Sequence, residues 1–428
     1  MSQTVKRLKY DVAIIGGGPA GMMAAGRAAE LGASVILIEK NASLGKKLLI
    51  TGGGRCNVTN DTLDVRALSA KLKNKGKFLF SAFAQHAVRE SLDFFHSHGM
   101  ETKVENEGRI FPVSNTARSV YDVLVNYMKN GKVEIALGIT ARSFHIRLSK
   151  IVGLNIAGLG TQSIVADSYI LATGGTSHPE TGSTGAAFPW LALAGHTIVP
   201  PDVAMVPIKI AEKWVRDLSG VSNQNAKLSL YENDKRTASS IGRMVFAHFG
   251  LSGPLVINFS GDVREAMQYA ESDDKIELSL DIMPDYDPAK LDQKIQEIFK
   301  TNQNKKLKNA LRDLVTPAMV STIITLTKLD PEKEINLVTR AERLVLGKLL
   351  KDMRMTPTGF LGKEKAIVAS GGVKLEEIDF RTMQSRLISN LYLIGDVLDI
   401  ERPSGGYSLQ LCWTTGWVAG THAVEKKF

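Results

Sequence analysis

The sequence predicts an α/β fold built around a parallel β-sheet, and three observations carry this prediction. A short apolar strand at 11–15 leads into a glycine-rich turn and an Ala-rich helical segment from Gly21 to about Leu31. A second apolar strand, 34–38, follows this helix and ends at Glu39. Two later apolar runs, 167–175 and 391–395, have the character of buried strands and end in glycine. Buried strands alternating with amphipathic helices are typical of an α/β sheet.

The first strand, turn and helix carry glycines at G-x-G-x-x-G spacing. Gly16 permits the tight turn, Gly18 lets the backbone approach a pyrophosphate, and Gly21 lets helix and strand pack closely. The helix N-terminus directs unpaired N–H groups and its dipole at the phosphates. Glu39 stands where a carboxylate can accept hydrogen bonds from a ribose. The βαβ unit therefore predicts a Rossmann-like dinucleotide site, and a glycine-rich turn without a ligand is the alternative.

The character of the chain changes near residue 200, and this change divides the chain into three parts. A discontinuous nucleotide-binding domain is predicted at 1–198 and 373–428, and an inserted β-rich substrate domain at 199–285 and 355–372. A small helical subdomain is predicted at 286–354. Helical periodicity indicates helices at 78–99, 117–130, 289–299, 307–314, 318–325, 334–350 and 407–423.

Bulk properties exclude several classes of protein. No apolar run approaches the roughly 18–20 residues that a membrane-spanning helix needs. The basic N-terminus lacks an apolar signal core, which predicts a cytoplasmic protein. Cys56 and Cys412 are far apart and do not form C-x-x-C, which argues against a disulfide scaffold and a dithiol relay. The histidines show no metal-ligand spacing, so no metal is predicted.

Three further motifs favour a flavin over a nicotinamide cofactor. The strand at 170–175 ends in A-T-G-G, and Asp396 follows the strand that ends at 395. This carboxylate can accept a hydrogen bond from a ribityl hydroxyl. Gly405 and Gly406 open the last helix and can direct N–H groups at the pyrimidine end of an isoalloxazine, where a helix dipole stabilises anionic reduced flavin. The order of these motifs along the chain is more specific than any one of them.

This set of motifs resembles the two-dinucleotide-binding flavoprotein superfamily, which includes the glutathione reductase and fumarate reductase flavoproteins. More closely, it resembles the bacterial three-domain FAD-binding flavoproteins of the aminoacetone oxidase-like and bile-acid reductase-like group. The motifs that carry the resemblance are 16–21 (GGGPAG), 45–47 (GKK), 51–57 (TGGGRCN), 108–112 (GRIFP), 249–254 (FGLSGP), 395–399 (GDVLD) and 405–410 (GGYSLQ). The segment 400–404 (IERPS) departs from the commoner family pattern.

The resemblance implies an α/β protein with a Rossmann-like FAD-binding domain of the glutathione reductase type, carrying an inserted β-rich domain. It also implies non-covalent FAD. Residues implied at the adenosine and pyrophosphate are Gly16, Gly18, Pro19, Ala20, Gly21, Glu39, Lys40, Lys47, Ala141, Thr173 and Gly174. Residues implied at the ribityl chain and the isoalloxazine are Gly53, Gly54, Arg55, Cys56, Asn57, Gly395, Asp396, Gly406, Tyr407 and Gln410.

The catalytic residues are not identified by sequence, and the candidates are Arg55, His248 and Tyr407. Arg55 could orient an anionic substrate or stabilise anionic flavin, and its glycine neighbours favour the second role. His248 could be an acid/base group or a hydrogen-bonded structural residue. Cys56 could be a redox thiol, but no resolving cysteine is visible, so we favour a small packed residue.

We expect an FAD-dependent oxidoreductase that transfers hydride between a small organic substrate and flavin N5. The first hypothesis is oxidation of a small amine by O₂, and the second is reduction of an activated C=C bond with NAD(P)H as the possible electron donor. No second G-x-G-x-x-G follows a strand, so no dedicated NAD(P)H domain is visible. A flavin-binding protein without turnover is a rival, and the oligomeric state stays open.

An RNA-modifying flavoprotein is the other rival, because the net charge of +9 is uneven. Residues 288–365 hold 16 Lys/Arg against 9 Asp/Glu. A basic surface can attract nucleic acid. The aromatic residues of this stretch are only Phe299 and Phe360, which provide no stacking platform. A solvated basic face is therefore favoured, and neither nucleic acid nor a membrane is an expected partner.

Overall fold

The computed structural model describes residues 8–158, 163–204, 206–271, 273–361 and 368–424, and it divides into two compact units. Unit 1 holds the described residues up to 204 and from 368 onwards, and unit 2 holds those from 206 to 361. The domain boundaries expected from sequence lie at 198/199 and 372/373, a few residues from this division. The helices expected as a subdomain at 286–354 belong to unit 2.

Both units contain strands and helices. The strands are β1 (Leu8–Ile15), β2 (Val35–Glu39), β3 (Thr59–Asn60), β4 (Thr102–Glu105), β5 (Arg109–Pro112), β6 (Glu134–Leu137), β7 (Thr140–Arg147), β8 (Lys150–Ala157), β9 (Ser163–Leu171), β10 (Ile198–Ala204), β11 (Ile208–Ile210), β12 (Ser222–Glu232), β13 (Lys235–Ala247), β14 (Gly250–Ser252), β15 (Ile276–Asp281), β16 (Met353–Met355), β17 (Pro357–Phe360), β18 (Val368–Val373), β19 (Ile378–Asp379), β20 (Gln384–Ser385) and β21 (Leu391–Leu393). The helices are α1 (Pro19–Glu30), α2 (Lys46–Ile50), α3 (Val65–Ala70), α4 (Gly76–Phe83), α5 (Val88–Ser97), α6 (Ala117–Asn130), α7 (Phe188–Leu193), α8 (Lys213–Asp217), α9 (Pro254–Tyr269), α10 (Pro288–Thr301), α11 (Leu307–Ala310), α12 (Pro317–Thr327), α13 (Arg340–Lys351) and α14 (Tyr407–His422). None of these described helices is long and apolar enough to cross a bilayer.

The central sheet of unit 1 has the strand order β19-β20-β21-β9-β1-β2-β6, and β8 pairs with both β7 and β9. The pairs β21–β9, β9–β1, β1–β2 and β2–β6 are parallel. Ile15 pairs with Ile38 of β2 and with Leu171 of β9, and Leu171 pairs with Leu393 of β21. The carboxyl ends of four strands therefore meet at one edge, and in open α/β sheets this edge binds the ligand.

Helices α1 and α14 pack together at close range because glycines of α14 face the backbone of α1. A Cβ on Gly416 would lie 2.6 Å from the Ala20 carbonyl oxygen, and a Cβ on Gly420 would lie 2.7 Å from the Ala24 carbonyl oxygen. Most of α14 is buried, which agrees with its apolar sequence. This packing places the middle of α14, around Gly416, beside the first turn of α1.

Unit 2 contains a seven-stranded antiparallel sheet with the order β16-β15-β12-β13-β14-β11-β17. Strands β12 and β13 form a hairpin whose two turn residues, Asn233 and Asp234, have φ of 50° and 63°. Asparagine and aspartate tolerate this left-handed conformation, which a two-residue hairpin turn requires. Helices α9 to α13 supply further members of the apolar core around this sheet. The predicted α/β class with a β-rich, helix-bearing insertion is confirmed.

Several elements differ from the sequence-based assignment, among them helix α9, which was not predicted. The helix predicted over 78–99 is two helices, α4 and α5, because Glu90 accepts a hydrogen bond from the Ala87 N–H at 2.8 Å and caps a new helix. The helix predicted from 334 begins at 340, where Thr339 and Glu342 form a capping box. The long strand β13 was not predicted, because 235–243 is polar on both faces.

Candidate cofactor site

The loops that follow β1, β2, β9 and β21 surround an open cavity in unit 1. Its empty space is about 1070 Å³, counting the mouth that opens to solvent. The residues of the predicted FAD site that line this cavity are Gly16, Gly18, Pro19, Ala20, Glu39, Lys40, Lys47, Ala141, Thr173, Gly174, Gly395 and Asp396. These residues are distant in sequence but meet here because of the sheet register. Each of them follows the carboxyl end of a central strand or faces such an end.

The three motif glycines have different local roles. Gly16 has φ of +111°, and a Cβ there would lie 2.4 Å from the Ala172 carbonyl oxygen. A Cβ on Gly21 would lie 1.9 Å from the Gly16 carbonyl oxygen. A Cβ on Gly18 would meet no protein atom within 4 Å. Gly16 and Gly21 are therefore needed for packing, whereas Gly18 leaves open space at the N-terminus of α1.

Glu39 ends β2 with its carboxylate buried beside the glycine turn. Its Oε2 accepts the Gly17 N–H at 2.8 Å, and its Oε1 accepts the Asn41 N–H at 2.8 Å. These two bonds hold the carboxylate at the cavity wall. Each oxygen has a second lone pair, so the group can also accept hydrogen bonds from a ligand hydroxyl.

The two lysines that were expected near the adenosine lie apart. Lys40 Nζ donates to Thr184 Oγ1 at 3.1 Å. Lys47 Nζ instead donates to Ser177 Oγ at 2.5 Å and to Asp396 Oδ2 at 3.1 Å. Lys47 therefore belongs to the part of the cavity that follows β21, together with Asp396.

Asp396 is held by two cations. Lys47 contacts one carboxylate oxygen, and the guanidinium of Arg402 donates to the other. Burial disfavours the charged carboxylate, but the charges of Arg402 and Lys47 outweigh burial and lower the pKa of Asp396 to about 2. The two cations therefore favour the ionised form of the Asp396 carboxylate.

The loop from Gly53 to Asn57 forms a second group of predicted residues, and none of them is among those that line the cavity. Gly53 and Gly54 have positive φ and open space at their Cβ positions. Arg55 lies 4.2 Å from the centre of the Phe111 ring, and its guanidinium donates to Glu105 at 2.5 Å and to Asn115 at 2.6 Å. Arg55 is thus bound to the neighbouring three-stranded sheet of β3, β4 and β5.

Both cysteines are buried and protonated. Burial raises the pKa of Cys56 to about 12, and a hydrogen bond with Thr51 opposes this only in part. Burial also raises the pKa of Cys412, which lines the cavity, to about 12. A thiol with such a pKa is a poor nucleophile at neutral pH. The structure agrees with Cys56 as a packed residue.

The predicted residues at the start of α14 lie outside the cavity lining. Gln410 is buried, and its side-chain amide bonds internally to Thr59, Ser91 and Thr414. The amide nitrogen therefore donates to two protein hydroxyl groups. The Tyr407 hydroxyl lies 3.2 Å from Thr62 Oγ1. His248 belongs to unit 2, where its ring packs edge-on against Phe249.

Sequence reasoning missed several cavity residues. Trp190 on α7, Ser43, and the loop 181–184 line the cavity without carrying any motif. Arg402, which contacts the cavity residue Asp396, lies in the segment 400–404 that departs from the family pattern. Helical spacing gives no indication that a tryptophan faces a ligand, so Trp190 had no signal in a single sequence. Within the described residues, no cluster of His, Cys, Asp and Glu side chains could hold a metal ion.

The family described as "HI0933-like protein Rossmann domain" matches residues 10–422. The chain belongs to this family. The expected resemblance to bacterial FAD-binding flavoproteins is confirmed, and the chain is a member of a group of FAD-dependent oxidoreductases with a Rossmann-type FAD-binding domain.

Two relatives align with this family member over almost their full length. The 3-dehydro-bile acid delta(4,6)-reductase of Clostridium scindens is 29% identical over 421 residues, covering 97% of this chain and 99% of that protein. The ribosomal RNA dihydrouridine synthase of Escherichia coli is 27% identical over 419 residues, covering 98% and 99%. The two names describe different substrates.

Solved structures share the fold of this family member. The open conformation of a flavocytochrome c3 fumarate reductase has a TM-score of 0.52 at 15% identity, covering 97% of this chain and 78% of that chain. The 3-ketosteroid delta1-dehydrogenase of Sterolibacterium denitrificans has a TM-score of 0.54 at 14% identity, covering 98% and 100%. At these identities the likeness concerns the fold.

The cavity of this family member fits the adenosine and pyrophosphate of FAD on three observations. Gly18 leaves the backbone N–H groups of the α1 N-terminus open to an anion, because no Cβ stands in front of them. Glu39 offers acceptors for ribose hydroxyls at the end of the neighbouring strand. Thr173 Oγ1 is buried at the cavity wall without a hydrogen-bond partner among the described residues. A bound cofactor hydroxyl or ring nitrogen would satisfy it.

Proposed function

We propose that this protein is an FAD-dependent reductase of a carbon–carbon double bond conjugated to a carbonyl group. The cofactor part of the proposal is carried by one observation, the open space in front of Gly18 at the N-terminus of α1. The reaction class is supported by the two full-length relatives. The assignments of individual residues to the pyrophosphate, the ribose, the ribityl chain and the adenine of FAD are also proposals.

The two relatives are named for different substrates, but the chemistry in their names is the same. A 3-dehydro steroid with delta(4,6) unsaturation has double bonds conjugated to its 3-ketone. Dihydrouridine is uridine whose ring double bond, conjugated to the C4 carbonyl, has gained two hydrogens. This shared chemistry supports the second hypothesis of the sequence analysis. Neither name gives support to oxidation of a small amine.

When bound, FAD supplies the hydride that such a reduction adds to the carbon β to the carbonyl. In this proposal the N–H groups of the α1 N-terminus bind the pyrophosphate, with Gly18 allowing the close approach. Glu39 accepts from the adenosine ribose while Gly17 and Asn41 hold it in place. Asp396 accepts from the ribityl chain, and Thr173 and Ala141 border the adenine.

The reduction also requires a proton on the carbon next to the carbonyl. Among the three candidate residues, we favour Tyr407 as the proton source. The guanidinium of Arg55 is already engaged, because it is paired with Glu105 and donates to Asn115. Tyr407 carries a transferable hydroxyl proton and belongs to the same unit as the cavity. Its hydrogen bond with Thr62 orients that hydroxyl.

The proposal is tested with purified protein under anaerobic conditions. We expect a yellow protein whose flavin absorbance bleaches on addition of NADPH or NADH. The reduced protein is then mixed with a 3-oxo-4,6-diene steroid or with uridine-containing ribosomal RNA. Return of the flavin absorbance, with a product that is two mass units heavier, supports the proposal. Reduction of the flavin by amines, with reoxidation by air alone, would overturn it.

Ribosomal RNA is a second candidate for the substrate, favoured by the full-length relative from Escherichia coli and by the net charge of +9. The basic stretch in unit 2 gives this candidate less support than its sequence suggests. Lys306 and Lys308 both pair with Glu332, and Lys333 pairs with Glu342. The two acceptors in the experiment above separate an RNA substrate from a steroid. Salt-sensitive retention of RNA by the protein would add to the case for RNA.

A further inference from the structure

Arg402 is a buried arginine in the segment between β21 and α14. Its side chain is 1% exposed. Nη1 donates to the Ile400 carbonyl oxygen at 2.5 Å, Nε donates to Ser408 Oγ at 3.1 Å, and Nη2 donates to Asp396 Oδ1. A guanidinium is planar and its donors have fixed directions. Two of these contacts therefore determine where the third donor points, and it points at Asp396.

The Asp396 carboxylate is held on both sides. Oδ1 accepts from Arg402, and Oδ2 accepts from Lys47 Nζ, which is itself anchored on Ser177. A carboxylate rotates readily about its last side-chain torsion. Donors on opposite oxygens remove that freedom and define the plane of the group. Asp396 and Lys47 line the cavity, whereas Arg402 lies behind Asp396 and is not among the lining residues.

We propose that Arg402 is a positioning residue of the cofactor site, which acts by holding the Asp396 carboxylate in a fixed orientation at the cavity wall. The inference rests on the proposed FAD site and adds a residue that no motif of the sequence assigned to it. Arg402 touches Asp396, not the ligand, so its effect reaches FAD only through that carboxylate.

If Arg402 served only to pack the fold, its replacement would have a different effect on the pH dependence of FAD binding. The charged and titratable groups that act on Asp396 among the described residues are Arg402 from the segment before α14 and Lys47 from α2; the thiol of Cys412 on α14 lies close enough to feel its charge. Without Arg402, burial would be opposed by Lys47 alone, and the carboxylate would take up a proton at a higher pH. Mere loss of packing would weaken binding equally at every pH.

The experiment titrates full-length protein, freed of its cofactor, with FAD from about pH 5 to about pH 8, the range over which a raised carboxyl pKa would act. Binding is followed by protein fluorescence. We expect wild-type affinity to be flat over this range. We expect Arg402→Met to bind FAD about tenfold less tightly at the acid end than at the alkaline end. The double variant R402M/D396N should lose this pH dependence.

Arg343→Met is the matched control, because Arg343 forms an ion pair of similar kind with Asp292 in unit 2. It should bind FAD as the wild type does. If wild-type protein binds no FAD, the proposed function itself fails. If wild type binds FAD and R402M has the same flat profile, at any affinity, only the role of Arg402 is overturned. Should R402M fail to fold, Arg402→Lys keeps the charge but loses the planar fork. A weaker FAD affinity of R402K than of wild type, with no further loss when R402K is added to D396N, supports the inference. An unchanged affinity, or an equal loss in the two backgrounds, contradicts it.

Discussion

The carbonyl oxygen of Gly16 lies 1.9 Å from the point at which a Cβ on Gly21 would stand. No carbon and oxygen that are not bonded to each other can approach so closely. The glycine turn and the first turn of α1 therefore touch through their backbones. This contact fixes the N-terminus of α1 against the end of β1, where the cavity lies.

Gly21→Ala should destabilise the protein by about 1–3 kcal/mol, the usual range for overpacking. An exposed glycine in a helix normally gains about 1 kcal/mol on replacement by alanine. At Gly21 the same replacement lowers the stability instead, because the backbone of Gly16 has no room to move away. Thermal unfolding of the cofactor-free protein measures the change, and an equal or higher midpoint than that of wild type would contradict the close contact.

Gly18→Val should abolish FAD binding and leave the fold intact. The valine side chain would project into open space, so it clashes with no protein atom, but it covers the N–H groups that would receive the pyrophosphate. The variant should be colourless after purification and should unfold at the same temperature as the cofactor-free wild type.

Gly153→Val is the control for this variant. Gly153 lies on strand β8, and its Cβ position has only one neighbour, the Ile164 carbonyl oxygen at 3.9 Å. This control should stay yellow. A yellow Gly18→Val protein would refute the position of the cofactor site.

The strand ends around the cavity could be predicted from sequence because their determinants are local. An apolar run followed by glycine identifies a buried strand and the turn after it, so Gly16 and Asp396 were assigned correctly to strand ends. Arg402 could not be assigned a role, because its partner Asp396 is fixed by tertiary packing. The partners of the Gln410 side chain could not be predicted either, because its amide bonds to Thr59 and Ser91, which are distant in sequence.

Some of the elements that were not predicted depend on local residues, and others depend on tertiary packing. The start of α13 was available in the sequence, since Thr339 and Glu342 have capping-box spacing. Strand β13 was not available, because polar residues on both faces give no alternation and the strand is defined by its pairing with β12 and β14. Trp190 faces the cavity only because α7 follows the loop after β9.

His86 should make the stability of the protein depend on pH. Burial, with a smaller contribution from the charge of Arg27, lowers the pKa of His86 to about 3. The unfolded chain, with an ordinary histidine, takes up a proton near pH 6.5. Between these values the unfolded state binds more protons, so stability falls as the pH falls. The slope that this group contributes is at most about 1.4 kcal/mol per pH unit.

His86→Phe should remove this contribution. The ring of His86 stacks on Trp417 at 5.1 Å, and phenylalanine preserves an aromatic ring there. Denaturant unfolding at about pH 4 and at about pH 7 measures both proteins, since the effect develops between the two pKa values. Other groups titrate equally in the two, so the difference between their slopes isolates His86. Equal slopes would show that His86 is protonated in the folded protein.

Tyr407→Phe should retain FAD and its reduction by the electron donor but slow the step that consumes the unsaturated acceptor. A general acid typically contributes about 10²–10⁴-fold to such a step. Stopped-flow measurement of the two half-reactions separates them. Thr62→Val is a useful comparison, because it removes the hydrogen-bond partner of Tyr407 and keeps the Tyr407 hydroxyl proton. We expect it to slow the acceptor step less than Tyr407→Phe does. An unchanged acceptor step in Tyr407→Phe would exclude this residue as the proton source.

FAD binding should quench the fluorescence of Trp190. This side chain lines the same cavity as Ala141 and the loop 181–184, and its ring packs edge-on against Phe144 at 5.9 Å. An aromatic ring at this wall can contact the adenine, and the rest of the proposed site places the adenine on this side. Trp190→Phe should therefore lose most of the quenching and little of the affinity. Trp190→Ala should weaken FAD binding about tenfold, since the loss of an aromatic contact is worth about 0.5–1.5 kcal/mol beyond the buried area.

Trp214→Phe is the control, because Trp214 belongs to unit 2 and packs against Phe246 in the core of that unit. The chain has four tryptophans, so each replacement removes one fluorophore and leaves three. Quenching that persists in Trp190→Phe but vanishes in Trp214→Phe would move the adenine away from the wall formed by α7. Equal FAD affinity of Trp190→Ala and wild type would show that Glu39 and the glycine turn bind the adenosine half without this wall.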